Sequence, residues 1–320
     1  MLTGIKEKRK QYRIIYELMN ETPRIRLSSL SKTMKMRPSI IGKRMQEAFD
    51  YVYVVRIQIR RRSYANFKEY VYFVKCEDPE GMYEKYTRDE NVVYHLLLDG
   101  FCDLLVISRG KIDIKGDIVF EGPRSDYHIS VPPDRSWDTA ISIVQKKLED
   151  FDPEEYQPKG IITCHWDETI EWDEEDEILF RELKYDLRKP ATPLMKKHHI
   201  HKNKFEQWLK RLPETCTIVN GYYPESISGY DPLVYLFETD YEDFIIELFS
   251  ELPSTCWFFK VSDRLVLYLW VDRGSMKNVN FPISDISKLH IRNLVRELLK
   301  KGIITKRARA TVECYWRESL

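Results

Sequence analysis

The sequence predicts an α+β protein built as a tandem repeat. Each copy is a winged helix-turn-helix followed by a ferredoxin-like βαββαβ module. Three observations predict this. An apolar pattern recurs at a nearly constant offset along the 320 residues. Each copy opens with helical periodicity and then switches to strand-like alternation. Glycine, proline and aspartate turn signals separate the strands.

The repeat is read first because it sets the element order. Leu30 pairs with Leu194, Met36 with Ile200, Ile41 with Phe205 and Met45 with Leu209, all at offset 164. Downstream, Val71–Val74 matches Val234–Phe237 and Asn91–Tyr94 matches Ser254–Trp257, both at offset 163. Leu104–Ile107 matches Leu267–Trp270, and Gly160–Thr163 matches Gly302–Thr305 at the shorter offset of 142. The expected units are residues 1–66 and 169–230 as the helix-turn-helix copies, with 67–168 and 231–320 as the ferredoxin-like modules.

The elements follow in order. Ile14, Ile15, Leu18 and Met19 lie on one face of a first helix, as do Ile178, Leu179, Leu183 and Leu187 in the second copy. Asp173 suits the cap of that second-copy helix, and Glu174–Glu177 suit the positive end of its dipole. A short helix and a turn lead to a third helix, Pro38–Phe49 in one copy and Lys202–Leu212 in the other. Proline is tolerated in a first turn, where Pro38 falls. Tyr51–Ile59 reads as a strand whose basic tip, Arg60–Arg62, turns back as a wing. Then come a strand Glu69–Lys75, a helix Pro79–Thr87, a strand Val92–Leu98 and a turn at Asp99-Gly100. A strand Phe101–Ser108, a helix Trp137–Glu149 and a last strand Gly160–Trp166 complete the copy. Copy two repeats this with Leu233–Thr239, Tyr241–Leu252, Thr255–Val261, the turn Ser262-Asp263, Leu265–Val271, Ile286–Lys300 and Ile303–Tyr315. The order is a split βαβ. Residues 111–133 receive no element.

Composition narrows the class. Apolar residues make up 43% of the chain before glycine is counted, which excludes wholesale disorder. The apolar run Leu265–Val271 is far below the ~18 residues of a membrane helix. The charged opening Met1–Lys10 has no apolar h-region. Six dispersed cysteines without a CxxC pair read as reduced thiols of a cytoplasmic protein. The zero net charge conceals segregation. Residues 1–62 carry 16 basic and 5 acidic side chains, and residues 149–186 carry 3 and 15. Residues 188–212 and 288–309 each carry 8 basic and 1 acidic.

A basic helix-turn-helix implies double-stranded DNA as partner. The third helices would offer Arg37, Ser39, Lys43, Arg44 and Gln46, and Lys202, Asn203, Lys204 and Gln207. Arg60, Arg61 and Arg62 would grip phosphate. His198, His199 and His201 diverge along the chain, so they imply no metal, and no resident cofactor is implied.

Two segments and the order of the elements carry a family resemblance. Trp172–Leu183 is similar to the "LDxxDxxILxxL" opening of the Lrp/AsnC family of prokaryotic transcription regulators. Gly100-Phe101-Cys102-Asp103-Leu104-Leu105-Val106 is similar to its "GxYDlllxv" strand. The order of winged helix and βαββαβ module resembles it over most of the chain, twice. Copy one lacks the paired aspartates, and copy two has Ser262-Asp263-Arg264 where the family has a Gly-aromatic-Asp turn. The resemblance implies a DNA-binding regulator without enzymatic activity, either pseudo-dimeric as a monomer or a homodimer. It also implies a small, amino-acid-like effector near Asp99, Gly100 and Asp103 and near Ser262, Asp263 and Arg264. The alternative is a ligand-binding protein or an enzyme like the siroheme decarboxylases, which look similar in architecture, without specific DNA binding.

Overall fold

The computed structural model describes residues 2–273 and 285–317. The chain divides into two compact units, each drawing on both copies. One unit joins the residues up to Arg61 with Glu171–Gly229, and the other joins Arg62–Ile170 with the chain from Tyr230 onward. This pairing of like modules is the intramolecular pseudo-dimer.

The helical unit holds α1 (Leu2–Glu21), α2 (Leu27–Met34), α3 (Pro38–Asp50) and the strand β1 (Gln58–Arg61) from the first copy. The second copy supplies α6 (Glu174–Leu183), α7 (Ala191–His198), α8 (Lys202–Thr215) and β7 (Cys216–Val219). The helix-turn-helix corner is built identically in both. Lys35 and His199 are repeat counterparts, and both adopt left-handed backbone, with φ of 52° and 55°. The next amide folds back in each, Met36 N onto Ser31 O and Ile200 N onto Met195 O. His199 is thus the C-cap of α7. Asp173 caps α6 in a full capping box, accepting from Asp176 N while the Asp176 carboxylate accepts from Asp173 N. Ile15, Leu30 and Ile41 of copy one share one core with Leu179, Leu194, Phe205 and Trp208 of copy two.

The expected wing is different. β1 does not turn back on its own chain; it pairs antiparallel with β7 of the other copy, from Gln58 opposite Val219 to Arg61 opposite Cys216. Ile57 and Ile59 are fully buried in the shared core. Each wing strand therefore completes the other.

The second unit carries β2 (Tyr70–Lys75), α4 (Pro79–Thr87), β3 (Val92–Gly100), β4 (Leu104–Ser108), β5 (Asp117–Pro123), β6 (His128–Ile129) and α5 (Trp137–Glu149). Copy two adds β8 (Tyr230–Glu238), α9 (Glu242–Phe249), β9 (Trp257–Val261), β10 (Arg264–Asp272), α10 (Asp285–Lys300) and β11 (Lys306–Arg317). The sheet order is β5-β2-β4-β3-β11-β8-β10-β9-β6. The run β11-β8-β10-β9 is the expected split βαβ order. Copy one repeats it as β5-β2-β4-β3, but its fourth place is filled by β5, from the segment that received no element. Gly160–Trp166, expected as that strand, contributes only an isolated bridge between His165 and Tyr64. The chain of β5 continues through Arg124, which bridges Val261, into β6, which pairs with β9. The sheet thereby joins both of its ends through one stretch of chain.

The joined sheet encloses Val71, Phe73, Leu96 and Leu105 from copy one against Val234, Leu236, Phe259 and Val312 from copy two. Burying side chains of this size contributes roughly 1.5–3 kcal/mol each. On the opposite face of the copy-two strands, Tyr235, Phe237, Phe258 and Leu267 pack under α9 and α10. Helix α5 of copy one joins this layer through Ile141, Val144 and Leu148. Cys102, Cys216 and Cys256 are buried, and Cys164 and Cys314 are exposed. No helix among the described residues is long and apolar enough to cross a membrane.

Candidate functional site

A group of interacting polar side chains lies where the chain from β5 to β6 meets residues 62–64 and 163–168. Asp126 is 2% exposed. Its carboxylate accepts from Ser63 N at 2.9 Å, from Thr163 Oγ1 at 2.9 Å and from the Arg62 guanidinium. His165 Nε2 stands 3.4 Å from the same carboxylate, and its Nδ1 stands 3.2 Å from Glu168 Oε1. The Tyr64 ring stacks on the imidazole at 4.7 Å. The backbone fixes these positions: Asp126 N donates to Thr163 O, Glu168 N to His165 O and Ala65 N to Glu168 O.

Beneath this group lies Arg124, the largest fully buried side chain. Its Nε donates to Glu69 at 2.8 Å, and its guanidinium lies 4.1 Å from the centre of the Tyr127 ring. Burial opposes its charge, yet Glu69, Tyr127 and Asp126 outweigh that and hold it more firmly protonated than usual. Trp166 Nε1 donates to Arg124 O at 2.7 Å, tying the two chain segments together. Buried ions persist only when paired and hydrogen-bonded, and this one is.

The chemistry available is acid–base. An imidazole held against a buried carboxylate is fixed in orientation and can pass a proton to a neighbouring group. The His165 side chain is 21% exposed, with Nε2 turned to Asp126 and Nδ1 buried beside Glu168. Arg62 and Arg124 offset the negative charge of Asp126 and Glu69.

The residues expected to bind DNA fare unevenly. Arg37, Ser39 and Lys43 are exposed. Arg44 is turned to Gln11 at 2.8 Å and Glu47 at 2.6 Å, and Gln46 donates to Asp50. Lys202, Asn203 and Gln207 lie at the surface, with Lys202 3.4 Å from Glu206. Lys204 is held by Asp173 at 2.6 Å and Asp176 at 2.7 Å. The arginine triplet does not form a free tip. Arg60 donates to Gln58 and lies over the Tyr185 ring. Arg61 pairs with Glu177 at 2.9 Å and covers the Phe180 ring. Arg62 belongs to the Asp126 group.

The two expected effector turns are held by different strands. Phe101 N donates to Arg309 O, and Ser262 N donates to Pro123 O. A Cβ on Gly100 would stand 2.4 Å from Arg309 O, so glycine there permits the close approach of β3 to β11. Asp99 and Asp263 are exposed, Asp103 binds Lys75 and Cys76 N, and Arg264 pairs with Glu238 at 2.6 Å. Asp126, His165, Tyr64 and Arg124 were absent from the sequence expectation. No sequence motif marks them: Arg124 and Asp126 fall in a stretch of mixed polarity, and Tyr64 and His165 lie far from it along the chain.

No family model matches the chain, and no curated protein does. Two solved structures are similar to it. One is the siroheme decarboxylase NirDL, at 12% identity and a TM-score of 0.48, covering 97% of this chain and 93% of that one. The other is the same enzyme in complex with an iron-uroporphyrin III analogue, at 12% identity and a TM-score of 0.45, covering 91% and 86%. These findings correct two expectations. Membership in the Lrp/AsnC regulators finds no matching family model, and the absence of enzymatic activity does not accord with neighbours that are an enzyme. Neither likeness assigns a role to any residue of this chain.

Proposed function

We propose that the protein acts on an anionic small molecule by acid–base chemistry, as a siroheme-decarboxylase-like enzyme, and does not read DNA sequence. The observation that supports this is the Asp126–His165 pair, with Arg62 on the same carboxylate and Tyr64 stacked on the imidazole. In such a decarboxylation this group's part is to orient the carboxylate and to deliver a proton. The bond between a side-chain carbon and its carboxylate breaks, CO2 leaves, and the carbon left with the electron pair takes a proton. His165 supplies that proton and regains it from solvent, while Asp126 fixes the ring. General acid catalysis of this kind contributes roughly 10²–10⁴-fold.

The test is incubation of the purified chain with siroheme, followed by mass spectrometry for the loss of CO2 from acetate side chains. Wild type is expected to convert it, and His165→Gln to lose about 10²-fold or more in rate while still binding the substrate. Unchanged turnover in His165→Gln would remove this histidine from the chemistry. No binding and no turnover by wild type, alongside retention of a specific duplex at about 150 mM salt, would overturn the reading.

A further inference from the structure

Tyr235 lies on β8 under helix α10, fully buried, and its hydroxyl has no hydrogen-bond partner among the described residues. A buried polar group left unsatisfied is costly, so one that persists marks a place where a partner arrives. Its surroundings are basic. Arg309 is its direct cross-strand neighbour on β11, and Arg307 follows two positions away on the same face. Cβ atoms of such directly opposed pairs stand about 4.5–5.5 Å apart. Arg292 reaches the same region from α10, and all three arginines act electrostatically on the Tyr235 hydroxyl. Among the described residues none of the three is ion-paired, whereas Arg264, Lys288 and Lys306 nearby all hold carboxylates. The Nε of Arg309 is itself buried without a hydrogen-bond partner among the described residues.

The other copy shows what this place looks like when the chain fills it. Tyr72 is the repeat counterpart of Tyr235 and takes the same position on β2. Its hydroxyl accepts from Ile112 N at 3.0 Å, and its cross-strand neighbour is Glu121 rather than an arginine. Copy one therefore satisfies its tyrosine with its own backbone and presents a carboxylate. Copy two leaves the tyrosine open and presents three guanidinium groups.

We infer that Tyr235, Arg292, Arg307 and Arg309 form a binding site for a small oxyanion carrying two or more charges. The tyrosine donates one hydrogen bond, and the arginine forks supply paired donors matched to phosphate or carboxylate oxygens. Phosphate esters and polycarboxylates share this chemistry. The site is separate from the Asp126 group, since β8 and β10 lie between β11 and β9 in the sheet.

Isothermal titration of the full chain with inorganic phosphate, pyrophosphate and citrate tests this and tells the two sources apart. Saturable one-to-one binding of at least one of them is expected. Arg309→Gln should weaken it at least about tenfold, the range of a lost charge-assisted hydrogen bond. Tyr235→Phe keeps the ring and should weaken binding several-fold while raising the melting temperature of the ligand-free protein. Arg296→Gln, one helical turn beyond Arg292, should leave affinity within about twofold. An absence of saturable binding by all three anions would overturn the site. So would equal losses in Arg296→Gln and Arg309→Gln, which would mean general attraction to a basic surface.

Discussion

His95 gives a quantitative test of how the copy-one module is packed. Its imidazole is fully buried on β3, 4.4 Å from the Tyr83 ring and with Nε2 3.4 Å from Thr87 Oγ1. Burial drives its pKa down from 6.5 to about 4, and a backbone hydrogen bond at Tyr83 offsets only part of that. The native state therefore holds a neutral ring over a range where the unfolded chain is protonated. The unfolded state binds the extra proton below pH 6.5, so stability falls as the pH drops from about 6.5 to about 4 and levels off below. Linkage with these two values makes the loss about 2 kcal/mol at pH 5 and about 3 kcal/mol near pH 4. Urea unfolding of wild type and His95→Phe at pH 7 and pH 5 measures it. His128 is also shifted down by burial but is present in both proteins, so it cancels. Wild type should lose about 2 kcal/mol more than the variant. Equal losses would mean that His95 is not held neutral between β3 and the α4 side chains Tyr83 and Thr87.

Two further substitutions probe the sheet seam between the copies and the start of α6 within copy two. Gly100→Ala places a methyl group against Arg309 O and Ala310, so it should cost about 1–3 kcal/mol and loosen the β3–β11 seam, visible as faster amide exchange in β11; an unchanged melting temperature would contradict the close approach. Asp176→Asn weakens the capping box and the bonds to Lys204 and Arg211, and should cost about 1–3 kcal/mol in urea unfolding. A neutral result there would mean that Lys204 is not tied to the start of α6.

The helix-turn-helix corners were legible because their determinants are local. Leu30, Met36 and Ile41 share their spacing with Leu194, Ile200 and Phe205, and the left-handed corner falls at Lys35 and His199. Copy two of the sheet was legible for the same reason. The last strand of copy one was not. Gly160-Ile161-Ile162-Thr163 has the composition of a strand, yet the place beside β2 is taken by β5. Glycines at 116 and 122 and a proline at 123 obscure the alternation of β5. The wing was misread because its arginines look free in one dimension. Arg61 meets Glu177 only through the pairing of β1 with the second copy, far along the chain. The Asp126 group depends on the same kind of long-range closure, since His165 lies beyond the whole of α5 from Asp126 and no motif links them.

The central claim is that chemistry takes place at the Asp126–His165 pair. An absorbance titration of the full chain with a polycarboxylated iron porphyrin, run for wild type, His165→Gln and Arg62→Gln, tests it most directly. Saturable one-to-one binding by wild type, with a changed spectrum in His165→Gln and weakened affinity in Arg62→Gln, is the predicted result. Binding with the same spectrum and affinity in all three proteins, or no binding by wild type, would contradict it.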